Sequence, residues 1–188
     1  PDGNLSYDET VVALTKAVRK LVTHEKLGPG TLGAIQNPAT WDRVQDSQKA
    51  GHKVLLESLE VTNPDFPKAR MATPALMEVS AEQHDALAQE TFGPIVYVIP
   101  VEDHEHGVQI ARDLASQHGA LTFSSWCTDE AVQEYMIDQM ARSYTSVAFN
   151  FTGAIWANQS AGFSDFHVTG GNPAGNASLT DPEYILNR

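Results

Sequence analysis

Cys127 is the first candidate for a nucleophile, because it is the one cysteine among 188 residues. It ends an apolar segment, residues 120–126, that favours a β-strand. No basic residue lies near it in sequence, and no helix begins close enough to guarantee stabilisation of a thiolate. A free cysteine in such a place is usually a small buried apolar group. We therefore interpret Cys127 as structural and assign no catalytic residue within this sequence.

Residues 103–106, Asp-His-Glu-His, could suggest a metal site. However, positions i and i+2 of a helix do not face one another, and a zinc site needs ligands from elsewhere. An acidic first turn that complements the helix dipole is the favoured interpretation, so we assign no metal ligand. A metal-binding acidic domain that uses His104 and His106 stays an alternative.

Residues 90–94, Glu-Thr-Phe-Gly-Pro, come directly before the most apolar segment, residues 95–99. Glycine permits unusual φ angles and proline orients the entry into a strand. A carboxylate on such a turn, at the end of a sheet strand, could accept hydrogen bonds from sugar hydroxyls. The spacing predicts a turn and permits a nucleotide-binding role.

The surrounding pattern predicts an α/β layer fold. Residues 6–9 form a capping box that starts a helix, which should stop at Gly28–Gly30. Asn37 and Pro38 should start a second helix, with Gly51 as its C-cap. From residue 95 onwards, strand, helix, strand, helix and strand follow one another. Thr128 should cap the second of those helices. Such alternation is typical of parallel sheets with right-handed crossovers.

The composition limits the function classes. The formal net charge is −12, which disfavours nucleic acid and anionic lipid surfaces as partners. No apolar run approaches the ~20 residues that span a bilayer. One cysteine excludes an internal disulfide, which fits a cytoplasmic protein.

The tail from about residue 150 is rich in Gly, Asn, Ser and Thr and should be loop. Its segment Thr169–Pro173 could cradle a phosphate, but no clear helix follows it, so a plain loop is favoured.

Residues 89–95 resemble the E-x-F-G-P signature of the aldehyde dehydrogenase superfamily. Segments in the order of that family surround the signature: Gly33–Ile35, Ala72–Val79, Gly119–Leu121, and Ser146–Asn150, which is similar to a G-x-V-x-V-N strand. The resemblance covers nearly the whole chain. It implies that residues 1–188 are the C-terminal part of a three-layer αβα catalytic domain with a mostly parallel sheet.

The resemblance also implies an activity. In this family a cysteine attacks an aldehyde, NAD or NADP accepts hydride, and water releases the acid. Glu90 would bind the nicotinamide-side ribose, Phe92 would pack beside the nicotinamide ring, and Gly93 and Pro94 would shape the turn. Asn150 would be structural. The substrate tunnel would be lined by Phe163 and Phe151.

The tail, residues 161–176, departs from the common family pattern and is similar to phenylacetic acid degradation proteins of the PaaN type. The resemblance implies that the nucleophile, the general base and the nucleotide-binding segment precede residue 1. We therefore expect this chain alone to be inactive, without bound cofactor, and to need the remainder of the dehydrogenase as its partner, in a homo-oligomer that acts on an aldehyde. The alternative is a non-catalytic interaction module with a dehydrogenase-like fold.

Overall fold

A computed structural model describes residues 5–88, 91–120, 122–143 and 145–151 of the chain. The chain divides into two compact units, Pro1–Pro100 and Val101–Arg188. The helices and strands within the described residues are α1 Tyr7–Val22, α2 Gly28–Thr31, α3 Pro38–Ser47, β1 Lys53–Leu56, β2 Glu60–Val61, β3 Met71–Ala72, β4 Ala75–Glu78, β5 Ile95–Val98, α4 His104–His118, β6 Thr122–Ser125, α5 Glu130–Ala141 and β7 Ser146–Phe149, with a 3₁₀ segment at Ala81–Leu87.

The first unit is built on a sheet with the strand order β1-β4-β5. Strand β4 is antiparallel to β1 and parallel to β5, and β2 and β3 form a separate antiparallel pair. Leu76 and Met77 on the middle strand are fully buried, as is Val44 on α3. The centre of this core is therefore β4, which has a neighbour on each side.

Two helices lie beside this sheet or its entry turn. Tyr7 of α1 donates a hydrogen bond to Glu78 of β4. Thr40 and Val44 of α3 lie next to Gly93, two residues before β5 begins. Helix α1 is thus attached at Glu78 of β4, and α3 lies against the turn that leads into β5.

The second unit pairs β6 with β7 in parallel, with α5 connecting them. Helix α4 packs beside α5. The rings of His104 and Tyr135 meet edge to face with centroids 5.9 Å apart, and Arg112 Nη1 donates to Gln139 Oε1 at 2.6 Å. Met136 and Met140 form the buried side of α5, as their spacing predicts. The predicted α/β class is confirmed, and among the described strands two pairings are parallel and two are antiparallel.

Two predicted helix starts are confirmed by side-chain caps. Ser6 and Glu9 form the reciprocal capping box of α1, and Asn37 caps α3 through Ala39 N. Asp103, which the sequence placed in the first turn of its helix, instead caps α4 by accepting from His106 N. These caps depend on residues within three positions of one another, which makes them readable from sequence.

Other predicted boundaries are wrong. Helix α1 ends at Val22, and Gly28–Thr31 forms α2, because proline is well suited to the first turn of a helix. Gly51 has φ +88 but lies beyond the end of α3, in the turn before β1. Asp129 rather than Thr128 caps α5, since its carboxylate accepts from two helix amides.

No helix within the described residues has both the length and the apolar character needed to cross a lipid bilayer.

The contact between Tyr7 and Glu78 predicts a pH-dependent attachment of α1. Burial, and then the hydrogen bond to Glu78, raise the pKa of Tyr7 to about 12. The hydrogen bond from Tyr7, and then the one from Lys53, lower the pKa of Glu78. Glu78 therefore stabilises the fold above its unfolded pKa, and that contribution is lost as the pH falls through the lowered value. Tyr7 contributes below pH 10, and its contribution is lost as the pH rises towards 12.

We expect Tyr7→Phe to lower the free energy of unfolding by about 1 kcal/mol on a plateau between roughly pH 5 and pH 10, with the difference closing at both ends. Tyrosinate absorbance should show one late-titrating tyrosine that Tyr7→Phe removes. Glu78→Gln should move that transition earlier but not to its ordinary value, because burial is the larger cause. A late transition that persists in Tyr7→Phe would show that another tyrosine is responsible.

Candidate functional site

The turn at residues 91–94 leads directly into β5. Ile95 N donates to Gly93 O at 2.8 Å, and Ala75 N donates to Pro94 O at 2.9 Å. The second bond continues into the parallel pairing of β4 with β5. The turn is therefore fixed to the central strand of the first unit at the point where β5 begins.

Gly93 allows this turn to lie against α3. Its φ of +156 is rarely adopted by residues with a side chain. A Cβ at this position would lie 3.3 Å from Thr40 Cγ2 and 3.4 Å from Val44 Cγ2. The backbone angle therefore favours glycine at position 93, and a side chain there would in addition press on Thr40 by a few tenths of an ångström.

Arg43 ties α3 to the same turn. Its Nε donates to Phe92 O at 3.0 Å, and its Nη2 donates to Thr40 Oγ1 at 2.8 Å. A guanidinium holds its donors in a rigid plane, so these two bonds set the distance between the helix and the turn. Arg43 fixes the main chain at Phe92 while the ring of Phe92 stays 67% exposed.

Two clefts lie in this region. One, of about 570 Å³, is lined by residues 33–37, Thr40 and residues 91–94. The other, of about 830 Å³, is lined by residues 34–36 and 65–70. Residues 34–36 therefore form a wall shared by both clefts. We call residues 33–37 the wall segment and the smaller cleft the Phe92 cleft.

In the second unit, Asn150 closes the end of the β6–β7 pair. Its Oδ1 accepts from Cys127 N at 3.0 Å, its Nδ2 donates to Cys127 O at 2.7 Å, and its main-chain N donates to Ser125 O at 2.8 Å. The residue has a positive φ of 52, which asparagine tolerates better than most residues. The side-chain amide thus extends the strand pairing by one position.

A sequence profile of the aldehyde dehydrogenase family matches residues 4–173 of this chain. The chain belongs to the aldehyde dehydrogenase family.

Solved structures agree with this membership. The crystal structure of an NAD-dependent aldehyde dehydrogenase from Burkholderia multivorans is similar to the whole of this chain, with 35% sequence identity and a TM-score of 0.84. The chain spans 33% of the length of that protein. This similarity and the family profile together confirm the predicted superfamily.

Two more distant aldehyde dehydrogenases share the fold. An NAD-dependent benzaldehyde dehydrogenase from Corynebacterium glutamicum is 20% identical, with a TM-score of 0.53 over 78% of this chain and 30% of its own. Aldehyde dehydrogenase C from Pseudomonas syringae, a C291A mutant in complex with NAD+ and octanal, is 17% identical, with a TM-score of 0.54 over 79% of this chain and 30% of its own. At these identities the likeness concerns the fold alone.

The predicted site residues of this aldehyde dehydrogenase chain fall into three groups. Phe92, Gly93 and Pro94 lie together on the Phe92 cleft. Phe151 is half-buried and directly follows Asn150 in the second unit. Glu90 and Phe163 lie outside the described residues, as does the glycine-rich segment Thr169–Pro173. The assignments themselves stay predictions.

Cys127 differs from its predicted setting. Strand β6 ends at Ser125, so Cys127 lies in the loop before α5 and is partly exposed. Helix α5 begins three residues after Cys127, at Glu130, one position later than a cap at Thr128 would place it. Even so, both main-chain polar groups of Cys127 bond to Asn150, and its Sγ contacts Asp129 O at 3.7 Å.

The geometry around His104 and His106 does not assemble a metal site within the described part of the chain. His104 packs its ring against Tyr135, and the main-chain N of His106 donates to the cap residue Asp103. Among residues 5–88, 91–120, 122–143 and 145–151, no three His, Cys, Asp or Glu side chains come together in a way that could hold an ion.

The sequence patterns predicted no role in the site for Arg43 or for the wall segment. Gly33–Ile35 contributed to the family resemblance but carried no assigned role, and nothing local marked Arg43. Its carbonyl partner is 49 positions away, and an arginine in a polar helix is typical of a solvent-facing residue.

Proposed function

We propose that the full-length protein containing residues 1–188 is an NAD(P)-dependent aldehyde dehydrogenase that oxidises an aldehyde to a carboxylic acid through a cysteine thioester. The supporting observation is the exposed ring of Phe92, presented on a cleft by a main chain that is hydrogen-bonded from both sides. Because the chain belongs to the aldehyde dehydrogenase family, we interpret this exposed ring as part of a cofactor site.

The Phe92 cleft suits the nicotinamide end of a dinucleotide. A flat aromatic ring that is 67% exposed can lie beside a planar heterocycle without first moving aside. The cleft volume of about 570 Å³ is in the range of small-molecule sites. A bound nicotinamide supplies the hydride acceptor, and we assign its neighbourhood to Phe92, Gly93 and Pro94.

The remaining roles follow the same proposal. We assign the ribose hydroxyls of the nicotinamide side to Glu90 and the lining of the substrate tunnel to Phe151 and Phe163. Asn150 is assigned a structural role, which its two side-chain hydrogen bonds to Cys127 support. This chain's residues would thus position the cofactor and the substrate, while the nucleophile and the general base would come from outside residues 1–188.

We place the nucleophile and the general base outside residues 1–188. Cys127 supports this placement because, among the described residues, the hydrogen-bond partner of its sulfur is the main-chain O of Asp129 at 3.7 Å rather than a side-chain base. It follows that the isolated chain should neither oxidise aldehydes nor bind NAD strongly, since one end of a dinucleotide contributes only part of its binding energy.

The substrate is proposed to be an aromatic aldehyde in phenylacetate degradation. The support is the resemblance of residues 161–176 to phenylacetic acid degradation proteins. We further propose a cytoplasmic homo-oligomer. Leu14 and Leu21 of α1 support a packing partner, because they lie seven positions apart on one side of the helix and are 39% and 42% exposed. The remainder of the dehydrogenase is the partner that we propose for this face.

The test is NADH or NADPH formation by the purified full-length protein with phenylacetaldehyde, benzaldehyde and octanal. We expect turnover, a higher kcat/KM for the aromatic aldehydes, and none with residues 1–188 alone. Cys127→Ser in the full-length protein is the matched control and should retain activity.

Turnover by residues 1–188 that is abolished by Cys127→Ser would overturn the placement of the nucleophile. A folded full-length protein that oxidises none of these aldehydes would favour the non-catalytic interaction module. A preference for octanal would overturn only the substrate class.

A further inference from the structure

Arg70, which directly precedes β3, is bonded to the wall segment through both its side chain and its main chain. Its Nη2 donates to Gln36 O at 2.8 Å and its Nε donates to Ile35 O at 3.3 Å. In return, Ile35 N donates to Arg70 O at 2.7 Å. The wall segment has no helix or strand of its own at these positions, so these bonds provide its fixed attachment to β3.

The position of Arg70 shows from which side it acts. Arg70 lines the 830 Å³ cleft and is absent from the lining of the Phe92 cleft, whereas residues 34–36 line both. Arg70 therefore supports the wall segment from the side away from Phe92. It can affect a ligand in the Phe92 cleft only through the main chain of Ile35 and Gln36.

The opposite wall of the Phe92 cleft has a comparable support. Arg43 donates to the carbonyl of Phe92, as Arg70 donates to the carbonyls of Ile35 and Gln36. Each wall of the cleft thus has one guanidinium group bonded to its main-chain carbonyls, in addition to the main-chain bonds that hold it.

We propose that Arg70 is a positioning residue for the nicotinamide end of the cofactor, acting through the main chain of the wall segment. The inference rests on the function proposed above. A guanidinium can donate to two successive carbonyls from one plane, whereas an ammonium on a flexible stem reproduces at most one of these bonds in a fixed direction. Arg70→Lys should therefore retain part of the effect and Arg70→Met none of it.

The experiment measures the hydrogen exchange of the wall segment and the KM for NAD+, both in the full-length protein. Within the wall segment, hydrogen exchange of the Ile35 amide, which donates to the main-chain O of residue 70, should accelerate in Arg70→Met. The KM for NAD+ should rise roughly tenfold in Arg70→Met and roughly threefold in Arg70→Lys, while the KM for the aldehyde stays unchanged. Arg142→Met is the matched control. Arg142 Nη2 also donates at 2.8 Å, to Asp138 Oδ2, but Arg142 is the C-cap of α5 and lines neither cleft.

The outcomes separate this inference from the proposed function. Faster exchange with a raised KM for NAD+ supports the inference. Unchanged exchange of the Ile35 amide would overturn the bracing role itself. Faster exchange with an unchanged KM for NAD+ would overturn the link to the cofactor while leaving the dehydrogenase in place. A folded wild-type protein without turnover on either NAD+ or NADP+ would overturn the proposed function and this inference with it.

Discussion

Gly93→Ala is expected to lower the free energy of unfolding by about 1–3 kcal/mol and to reduce NAD+-dependent kcat/KM of the full-length enzyme by roughly tenfold or more. The new Cβ would lie 3.3 Å from Thr40 Cγ2 and 3.4 Å from Val44 Cγ2, at a φ of +156. The Val44 distance is an ordinary van der Waals contact, whereas Thr40 Cγ2 must give by a few tenths of an ångström. The φ angle of position 93 strains the turn in addition.

A shift of Thr40 would be transmitted to the cleft. Thr40 Oγ1 accepts from Arg43 Nη2, and Arg43 Nε donates to Phe92 O. If Thr40 moves, Arg43 either follows it and releases Phe92 O or keeps Phe92 O and loses Thr40. In both cases the ring of Phe92 loses its fixed position beside the cofactor that we propose.

Gly33→Ala is the matched control, since Gly33 lines the same cleft but a Cβ there would meet nothing within 4 Å. Thermal denaturation should place Gly33→Ala within about 0.5 kcal/mol of the wild type. Equal destabilisation by the two substitutions would show that the approach of α3 to Gly93 is not what fixes the turn.

The sequence predicts the parts of this fold that depend on neighbours along the chain. The predicted caps at Ser6 and Asn37 are each completed within three positions. Apolar segments predict β5 and the buried side of α5 for the same reason. Failures occur where two local rules compete, as at residues 28–30, where glycine and proline can end one helix or begin another.

The candidate site likewise has one part that the sequence predicts and one part that it does not. The turn at residues 91–94 is predictable because Gly93 and Pro94 restrict the backbone by themselves. The supports of that turn are not, because the Arg43–Phe92 and Arg70–Gln36 bonds join positions 49 and 34 residues apart. Val96 shows a related limit. Its apolar segment suggests burial on both faces, yet it is 44% exposed, because tertiary neighbours decide which faces are covered.

Substitutions at Asn150 should separate the two reasons for having asparagine there. Asn150→Ala loses both side-chain bonds to Cys127 and places a Cβ-bearing residue without a polar side chain at φ +52, so we expect a loss of about 2–3 kcal/mol. Asn150→Gly loses the same bonds but tolerates the backbone angle. It should be the more stable of the two by about 1 kcal/mol, as measured by urea denaturation.

Asn150→Asp keeps the shape and can still accept from Cys127 N, but its second oxygen would face Cys127 O where Nδ2 now donates at 2.7 Å. Two acceptors then oppose each other, at a cost of about 2 kcal/mol near neutral pH. The cost should shrink as the pH falls, because a protonated carboxyl can donate to Cys127 O. Hydrogen exchange of the Cys127 amide should stay slow in this variant and become fast in Asn150→Gly. A pH-independent cost, or fast exchange in Asn150→Asp, would mean that the amide does not extend the β6–β7 pairing as its distances indicate.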